Sequence, residues 1–387
     1  MAQVLILATL VTKSDEACFL KQQMEACSLT AELIDISLPA GNEILHGAAK
    51  CKAMSDTAAQ VLETVVRATQ KETEVVVGIG GGTGGEIVLN ILRALPITFP
   101  KVLVTTLPFD PRVAVADNSI ILVPTLADLS GLNTILREVF ENTALMTAGL
   151  CQKARKGELT TVTTSIGITA LGATDAAVPR LVQAFAEQGR ESTVFHSNGY
   201  GGAAFARFAN HGAFEKIIDL TPHELTRLHI AGVHADMPDR FTAGSNVPRV
   251  VLPGAMNFIG LGQIALVPER YLSRPHYEHS GFFTHVKVTS DEMVHICMQL
   301  AQNLNALAGP CAVIVPMGGF SHHDRPGGAI EDPALRQVCL DTLKAHLSSD
   351  VPVRAINAHL FSDDVTQAIL STLADMSIEG GRNARPD

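Results

Sequence analysis

Short runs of β-branched and other apolar residues alternate with longer amphipathic stretches along the whole chain, and this alternation constrains the fold more than any other feature. Val75–Ile79 and Ile120–Val123 are continuous apolar runs of strand length, whereas Glu86–Ala94 and Leu132–Leu150 have helical length. Such alternation is typical of βαβ units. Strands without polar positions suit parallel sheets that are buried on both faces. The sequence therefore predicts an α/β protein with mainly parallel sheets.

The alternation occurs in both halves of the chain, on either side of a polar, basic segment at 152–158. In the first half, strands are predicted at Val4–Ala8, Ala31–Ile36, Val75–Ile79, Lys101–Thr106 and Ser119–Val123, with helices at Asp15–Ala26, Asp56–Gln70, Glu86–Ala94 and Leu132–Leu150. In the second half, strands are predicted at Val162–Ile168, Ser192–His196, Ile217–Leu220, Arg249–Leu252, Ala312–Val315 and Val353–Ile356, with helices at Asp175–Gln188, Glu292–Ala308, Ala334–Leu347 and Asp364–Asp375. We predict two Rossmann-like doubly wound domains, residues 1–157 and 158–387, with ligands at the carboxyl ends of their strands.

The composition of the 387 residues excludes several classes of function. A net charge of -10 argues against non-specific nucleic-acid binding, which needs a basic surface. The hydrophobic fraction of 47% excludes intrinsic disorder, and the absence of Trp with only three Tyr disfavours stacking of single-stranded bases. We therefore expect no nucleic-acid partner.

Neither an export signal nor a membrane span is expected from the sequence. No basic residue precedes the apolar start, since the first is Lys13. The longest uncharged apolar segment, Val250–Pro268, contains Pro253 and three glycines in its interior, which would leave backbone groups unpaired in lipid. Seven cysteines without a CxxC pair fit reduced thiols. These features predict a soluble cytoplasmic protein.

A dense glycine run follows the third predicted strand. Five of the six residues from Gly80 to Gly85 are glycine, and only Thr83 has a side chain. Glycine lets backbone N–H groups approach an anion at a helix N-terminus, although a tight turn without a ligand is the alternative. So many glycines cost considerable chain entropy, and we therefore favour close approach of a ligand.

The glycine run alone does not identify that ligand. No Gly-Lys-Ser/Thr follows it, which excludes a P-loop. Gly80, Gly82 and Gly85 satisfy G-x-G-x-x-G, but the acidic residue that a dinucleotide site requires, Asp110, comes 25 residues after Gly85, and the run follows the third strand rather than the first. NAD remains an alternative on this evidence.

The end of the first strand is a second candidate anion site. Thr9 and Thr12 supply hydroxyls there, and Lys13 supplies an ammonium group that could hold a phosphate. The alternative is a capping box with Thr12 as N-cap and Asp15 three residues later. The two interpretations are compatible, because a capped helix start also attracts anions.

A weaker glycine pattern occurs in the second half, at Ser192–Gly202. Gly199, Gly201 and Gly202 match the spacing of Gly82, Gly84 and Gly85, again after a predicted strand. Duplication of one fold would explain this match, and coincidence would explain it as well.

The second half also concentrates histidines and cations near the expected strand ends. We assign Arg240 and Lys287 to holding an anionic substrate, and His279 and Asp324 to proton transfer. A metal site formed by His322, His323 and Asp324 with His276 or His279 is an alternative, which we do not favour because surface histidines are common.

Several other polar or aromatic residues are explained by structure alone. Thr221–Glu224 and Thr289–Glu292 have the pattern of helix starts, although Glu224 could also be catalytic. Cys297 and Cys311 are predicted to be small core residues. Phe195, Phe205 and Phe208 are predicted to pack rather than to bind a ligand.

Together, these residues resemble a known group, the Tm-one-like ATP-binding domain family. Its members are relatives of the N-terminal part of the tomato mosaic virus resistance protein and mostly uncharacterised bacterial and fungal proteins. The matching stretches are Ala8–Lys13 with Glu16, Gly78–Gly85, Leu95–Ile97, Pro100–Val102, Asp128–Asn133, Val194–Gly202, Asp219–Thr221 with Glu224, Pro238–Arg240, Pro253–Ala255, Val267–Arg270, Glu278–His279, Asp324–Gly327 and Asp332–Pro333. The resemblance covers nearly the whole chain.

The resemblance implies two Rossmann-like domains, homodimerisation and ATP bound by the first domain, with or without Mg²⁺. Carried onto this sequence, it assigns to the nucleotide Thr9, Thr12, Lys13, Gly80, Gly81, Gly82, Thr83, Gly84, Gly85 and Thr105. The second domain departs from the family pattern at Asn257, where Asp is common, and at Lys287, where Arg is common. These departures put a shared second-domain substrate in doubt.

Three functional hypotheses follow. The first is an ATP-binding cytoplasmic enzyme that acts on a small anionic metabolite at an interdomain cleft, by phosphoryl transfer or ATP-dependent activation. The second is a nucleotide-responsive binding or regulatory protein without turnover. The third is a nucleotide-independent lyase or hydrolase that uses the histidine-rich second domain.

Overall fold

Strands and helices alternate throughout the computed structural model, which describes residues 3–39, 45–155 and 165–383. The chain divides into two compact units, residues 1–161 and 162–387, and each contains a parallel sheet between layers of helices. This confirms the predicted α/β fold with two Rossmann-like, mainly parallel sheets. The predicted domain boundary after residue 157, and the predicted strand start at Val162, lie outside the described residues.

The N-terminal unit has five parallel strands in the order β2-β1-β3-β4-β5. Its strands are β1 (Val4–Ala8), β2 (Ala31–Asp35), β3 (Val75–Gly80), β4 (Lys101–Thr105) and β5 (Ile121–Pro124). Its helices are α1 (Leu10–Ala26), α2 (Gly47–Thr69), α3 (Gly82–Ala94), α4 (Pro111–Ala114) and α5 (Thr134–Arg155). The order reverses between β1 and β3, which is where ligands bind in open parallel sheets.

Alternate residues of each central strand pack against different helices, because successive side chains point to opposite faces of a sheet. In β1, Val4 and Ile6 pack with residues of α1 and α5, whereas Leu5 and Leu7 pack with residues of α2 and α3. All five residues of β1 and all six of β3 are buried. Burial on both faces explains why these strands are continuously apolar.

Three helices of the N-terminal unit begin earlier than the sequence predicts, and one of them, α2, begins at Gly47 rather than at Asp56. The helix α3 begins at Gly82 rather than at Glu86, and α1 begins at Leu10 rather than at Asp15. The prediction placed both starts too late because glycine and hydroxyl residues have low helix propensity. As a result, residues 82–85 form the first turn of α3 and are not a loop that precedes it.

The C-terminal unit contains a parallel sheet in the order β14-β13-β9-β8-β6-β7 and a three-stranded antiparallel sheet in the order β10-β12-β11. Its strands are β6 (Ser165–Ala170), β7 (Ser192–His196), β8 (Phe214–Asp219), β9 (Arg249–Val251), β10 (Phe258–Leu261), β11 (His276–Ser280), β12 (Phe283–Lys287), β13 (Cys311–Pro316) and β14 (Val353–Ile356). Its helices are α6 (Val178–Ala186), α7 (Gly201–Asn210), α8 (Glu224–His229), α9 (Glu269–Leu272), α10 (Ser290–Asn305), α11 (Pro333–His346) and α12 (Asp363–Asn383).

The antiparallel sheet is absent from the sequence prediction. Its strands are short, and β11 consists largely of polar and aromatic residues without an apolar alternation. Ile259 and Val286 nevertheless pack into the core formed by α10, α11 and β13. Cys297 and Cys311 lie in this core, and Phe195, Phe205 and Phe208 pack together elsewhere, as predicted.

The glycine match between the two halves does not align equivalent positions of the fold. Gly82, Gly84 and Gly85 follow β3, the third strand of the first unit, whereas the matching glycines follow β7, the second strand of the other. The sheet orders of the two units do correspond, since β6, β7 and β8 occupy the places of β1, β2 and β3. The glycine match is therefore no evidence for duplication.

Hydropathy along the helices gives no support to a membrane span. Within the described ranges, no helix combines the length and the apolar character needed to cross a bilayer.

Candidate functional site

The carboxyl ends of β1 and β3 border a cavity of about 490 Å³ in the N-terminal unit. The cavity lies at the point where the strand order reverses, the usual position of a ligand site in this architecture. Its size falls within the usual range for small-molecule sites. The lining residues are Thr9, Val11, Thr12, Lys13, Ser37, Leu38, Gly80, Gly81, Gly82, Thr83, Gly84, Asp128 and Leu129.

Glycine occupies positions 80 and 82 of the run for different structural reasons. A Cβ on Gly80 would lie 2.2 Å from the backbone nitrogen of Gly85, so packing alone requires glycine there. A Cβ on Gly82 would meet nothing within 4 Å, and Gly82 is exposed and lines the cavity. Of these two glycines, only Gly82 leaves space that a ligand can fill.

The N-terminus of α3 is open. The first N–H groups of a helix have no intrahelical partner, and the N-cap residue Gly81 has no side chain that could accept from them. The backbone N–H of Gly85 donates to the carbonyl of Gly81, so the helix is regular from its first turn. The partial positive charge of this helix end therefore faces the cavity with its donors available.

The N-terminus of α1 borders the same cavity, but the protein's own side chains occupy it. The N–H of Leu10 donates to Asp35 Oδ1 at 3.0 Å, and the N–H of Val11 donates to Ser37 Oγ at 3.2 Å. Burial raises the pKa of Asp35, but the hydrogen bonds from Ser37 and Leu10 outweigh it, and the pKa lies below its ordinary value. These contacts leave α3 as the better anion site.

The predicted capping box at the start of α1 is not present. The helix begins after Thr9, and Thr12 lies inside its first turn with Oγ1 3.0 Å from Thr9 Oγ1. The sequence pattern misplaced the cap because the true partners, Asp35 and Ser37, come from the end of β2.

Lys13 contacts the loop after β5. Its Nζ donates to the carbonyl of Leu129, and the neighbouring Glu16 is buried and accepts from the N–H of Gly131 at 2.8 Å. The two side chains hold this loop against α1. Lys13 borders the cavity, and its ammonium group has one carbonyl partner, so it keeps its positive charge and further N–H donors.

Thr105 is the last residue of β4, and Asp110 lies beyond the end of this strand. Thr105 is fully buried and its Oγ1 accepts from the N–H of Leu107 at 3.2 Å, which stabilises the turn. Asp110 caps α4 and binds the guanidinium of Arg112 at 2.8 Å. Neither side chain lines the 490 Å³ cavity. This position gives no support to Asp110 as the ribose-binding acid of a dinucleotide site.

A second cavity of about 680 Å³ lies on the other side of Gly82 and Thr83, which line both. Sequence reasoning did not identify its remaining walls. They are largely apolar and include a few cations, and the lining residues are Gly47, Lys50, Cys51, Met54, Glu86, Leu89, Arg93, Pro108, Phe109, Asp110, Val113 and Ala114. Val113 is 37% exposed beside this cavity, but exposure is a property of the folded chain, so no local sequence pattern indicated these walls.

In the C-terminal unit, Arg240 is fully buried. Its guanidinium binds Asp219 at 2.8 and 2.9 Å and Glu224 at 3.2 Å. Burial lowers the pKa of Arg240, but the two carboxylates outweigh it, and the pKa lies above its ordinary value. Arg240 therefore has two carboxylates of the protein as partners and no exposed surface. The helix α8 begins at Glu224, which is buried, with His223 rather than Thr221 at the N-cap.

Lys287 and Asp324 are joined through a third residue. Lys287 Nζ binds Asp332 Oδ2 at 2.8 Å, and the N–H of Asp332 donates to Asp324 Oδ1 at 3.1 Å. Asp324 also binds Arg336 at 2.5 Å, and burial raises the pKa of Asp324 to about 6. Both predicted groups thus have protein partners, and Arg240 belongs to a different ion pair.

His279 is exposed and stacks on His285 with ring centroids 4.7 Å apart. His322 and His323 are adjacent rings at 4.9 Å, but in the described part of the chain no group of three His, Cys, Asp or Glu side chains is arranged to hold a metal. The histidines therefore form an aromatic cluster. The predicted capping box at Thr289 and Glu292 is confirmed.

Comparison with protein families gives two matches. The N-terminal domain model of an uncharacterised protein family, UPF0261, matches residues 40–156. The C-terminal domain model of the same family matches residues 163–377. The two matches fall on the two structural units.

Individual relatives are similar along most of the chain. A UPF0261 protein of Rhizobium meliloti (strain 1021) is 28% identical over 401 residues, which cover 97% of this chain and 100% of that protein. A UPF0261 protein of Clostridium tetani is 28% identical over 404 residues, 97% of this chain and 98% of that protein. The ToMV resistance protein Tm-1(GCR237) of Solanum lycopersicum is 24% identical over 329 residues, 82% of this chain and 44% of that protein. The resemblance seen in the sequence motifs is thereby confirmed.

Proposed function

The chain belongs to the UPF0261 family, and on that premise we propose that its N-terminal unit binds ATP. The single observation that carries the proposal is the open N-terminus of α3 at Gly82, where a Cβ would meet nothing within 4 Å. Backbone N–H groups at a helix start, approached without obstruction, suit the oxygens of a phosphate chain.

The two cavities that meet at Gly82 and Thr83 supply room for the rest of the nucleotide. The 680 Å³ cavity has apolar walls that include Phe109 and Met54, which suit a purine ring. The cationic side chains of Lys50 and Arg93 border it. We propose that the phosphates lie over the glycine run and that the base lies in this larger cavity.

The proposal includes Mg²⁺ as the counter-ion of the phosphates. Asp128 lines the smaller cavity, and its Oδ1 accepts from the N–H of Leu129 at 2.9 Å, which orients the carboxylate. One carboxylate together with phosphate oxygens and water is a usual magnesium environment. Asp128 is therefore the residue that we assign to the metal.

We further propose an enzyme that uses ATP on a small anionic metabolite, by phosphoryl transfer or by activation of a carboxylate. The glycine N–H groups would stabilise charge on the transferred phosphoryl group, because preorganised donors act most strongly where charge develops. The seven free cysteines fit a reducing cytoplasm, and the proposed assembly is a homodimer. A monomer at micromolar concentration in analytical ultracentrifugation would contradict the dimer.

Isothermal titration calorimetry of the full chain with ATP, ADP, AMP and NAD, each with and without Mg²⁺, tests the central proposal. We expect stoichiometric ATP binding that weakens as phosphates are removed. Absence of affinity for every adenine nucleotide would refute it and leave the histidine-rich C-terminal unit as the catalytic candidate. Binding of ATP without release of phosphate or ADP across a panel of metabolites would favour a regulatory protein over an enzyme.

A further inference from the structure

A third cavity of the N-terminal unit, of about 450 Å³, lies at the carboxyl ends of β4 and β5. Its lining residues are Thr105, Thr106, Pro124, Thr125, Leu126, Ala127 and Asp128. Asp128 also lines the 490 Å³ cavity that contains the glycine run, so the two cavities are neighbours. The phosphates and the base of the proposed nucleotide do not use this third cavity, which leaves it for a second ligand.

One of the three threonine hydroxyls in this cavity is available to a ligand. The hydroxyl of Thr125 donates to the carbonyl of Ala127 at 2.6 Å, and that of Thr105 accepts from a backbone N–H. Thr106 is exposed, and its hydroxyl has no hydrogen-bond partner among the residues that the structure describes. Thr106 Oγ1 lies 3.4 Å from the position that a Cβ of Gly81 would take, and it is therefore beside the glycine run. This hydroxyl can donate to a ligand or accept from one.

The charge in the cavity is negative. Among the described residues that line it, Asp128 alone is charged, and Lys13 borders the neighbouring cavity instead. Asp128 is exposed, and its Oδ1 accepts from the N–H of Leu129 at 2.9 Å. A carboxylate or phosphate group inside this cavity would lack a counter-charge and would be repelled by Asp128. The walls therefore select an uncharged group that can donate a hydrogen bond to the carboxylate.

Leu126 has a strained backbone without the burial that would compensate for it. Its φ is +59°, in the left-handed region that a bulky side chain rarely adopts. The residue is 86% exposed and lines the cavity, so packing within the N-terminal unit does not offset the strain. Glycine would adopt this φ freely, and strained residues cluster at ligand sites. The leucine side chain therefore indicates an apolar contact with a ligand.

We propose that this cavity binds the uncharged alcohol end of the metabolite on which the protein acts. The hydroxyl of the ligand donates to the carboxylate of Asp128 and accepts from Thr106, and its carbon chain contacts Leu126. Asp128 has two carboxylate oxygens, so it can serve the Mg²⁺ proposed in the neighbouring cavity at the same time. Any anionic group of the metabolite lies outside this cavity. The role of the ligand as a substrate rests on the proposed function, whereas the binding itself is measured without ATP.

Methyl NMR of the full chain, labelled at threonine and leucine methyl groups, measures the binding of three small probes. n-Butanol has the hydroxyl and an apolar chain, methyl propyl ether is its isomer without a donor, and butyrate carries a negative charge. We expect n-butanol to shift the methyl resonances of Thr106 and Leu126 in a saturable manner. The ether should bind at least about fivefold more weakly because it cannot donate to Asp128, and butyrate at least about tenfold more weakly because Asp128 repels it.

Two variants and a control assign the contacts. Thr106→Val removes the hydroxyl at nearly constant shape and should weaken n-butanol binding at least about threefold. Thr98→Val is the matched control, because Thr98 is exposed in the segment before β4, at the opposite end of that strand, and this variant should bind n-butanol as the wild type does. Leu126→Gly should weaken n-butanol binding at least about threefold while the midpoint of urea unfolding stays at the wild-type value, because the lost side chain is exposed and the strain is relieved. Its calorimetric affinity for ATP should not change, since Leu126 lines neither cavity assigned to the nucleotide.

Four results would overturn the proposal: no saturable shift with n-butanol, equal affinity for the ether or butyrate, equal affinity of Thr106→Val and Thr98→Val, or weaker ATP binding in Leu126→Gly. The three probes are compared on the wild type, so a variant that does not fold leaves this test intact. ATP binding without n-butanol binding would refute this site alone. Binding of n-butanol without ATP binding would support this cavity and refute the nucleotide site.

Discussion

Substitution of Gly82 by valine tests the anion site with little disturbance of the fold. A Cβ at this position would meet nothing within 4 Å, so the two added methyl groups extend into the space between the two cavities. The backbone of Gly82 is not in the left-handed region, and valine has a higher helix propensity than glycine. The free energy of unfolding should therefore change by less than about 1 kcal/mol.

The effect on ATP affinity should be much larger. Displacing the phosphates from the start of α3 would remove two charge-assisted hydrogen bonds, each worth about 1.5–3 kcal/mol. The expected loss of about 3–6 kcal/mol corresponds to at least about 100-fold in Kd. The assay is calorimetric titration with ATP, combined with thermal unfolding of the same preparations.

Gly149→Val is the matched control. Gly149 lies on α5, is exposed, and also has nothing within 4 Å of its Cβ position, so the same change is made without touching the cavities. We expect wild-type ATP affinity in this variant. If Gly82→Val binds ATP as tightly as Gly149→Val, the glycine run is only a turn and the argument from its open backbone is refuted.

Further predictions concern stability. Gly80→Ala should destabilise the N-terminal unit by more than about 2 kcal/mol in urea unfolding, because its Cβ would lie 2.2 Å from a backbone nitrogen, and a smaller effect would contradict this packing. Arg240→Met should cost about 3–5 kcal/mol, since two buried carboxylates lose their cation, whereas Arg180→Met, which breaks an exposed pair, should cost less than about 1 kcal/mol. Burial lowers the pKa of His223 to about 3 and that of His285 to about 2, so both protonate more readily in the unfolded state, and stability should fall by about 1.4 kcal/mol per pH unit for each histidine below pH ~6.5. A stability profile that is flat between pH 6.5 and 5 in denaturant titrations would contradict the buried, neutral state of both rings.

The residues with local signals were predicted well. The continuous apolar runs at Val75–Ile79 and Val102–Val104 identify buried strands, because strands that are buried on both faces are rich in apolar residues. The capping box at Thr289 and Glu292 was identified because both of its hydrogen bonds join residues three apart. The position of the glycine run after a strand was equally readable from the sequence.

The charged residues of the second half were not predictable in the same way. Arg240 was assigned to substrate on residue type alone, but Asp219, its partner, lies 21 residues away at the end of β8. Lys287 likewise meets Asp332, which is 45 residues away. A sequence shows which charges exist, whereas their pairing depends on which strand and helix ends the fold brings together.

The amino-acid sequence by itself determined the alternation of strands and helices and the glycine run that follows β3. The tertiary structure decided which helix start is available to a ligand. β2 lies beside β1 in the sheet, so Asp35 and Ser37 at its end reach the first N–H groups of α1 and satisfy them. The N-cap of α3 is Gly81, which has no side chain to do the same. Strand order is a non-local property of the chain, and for that reason no local pattern could distinguish these two helix starts.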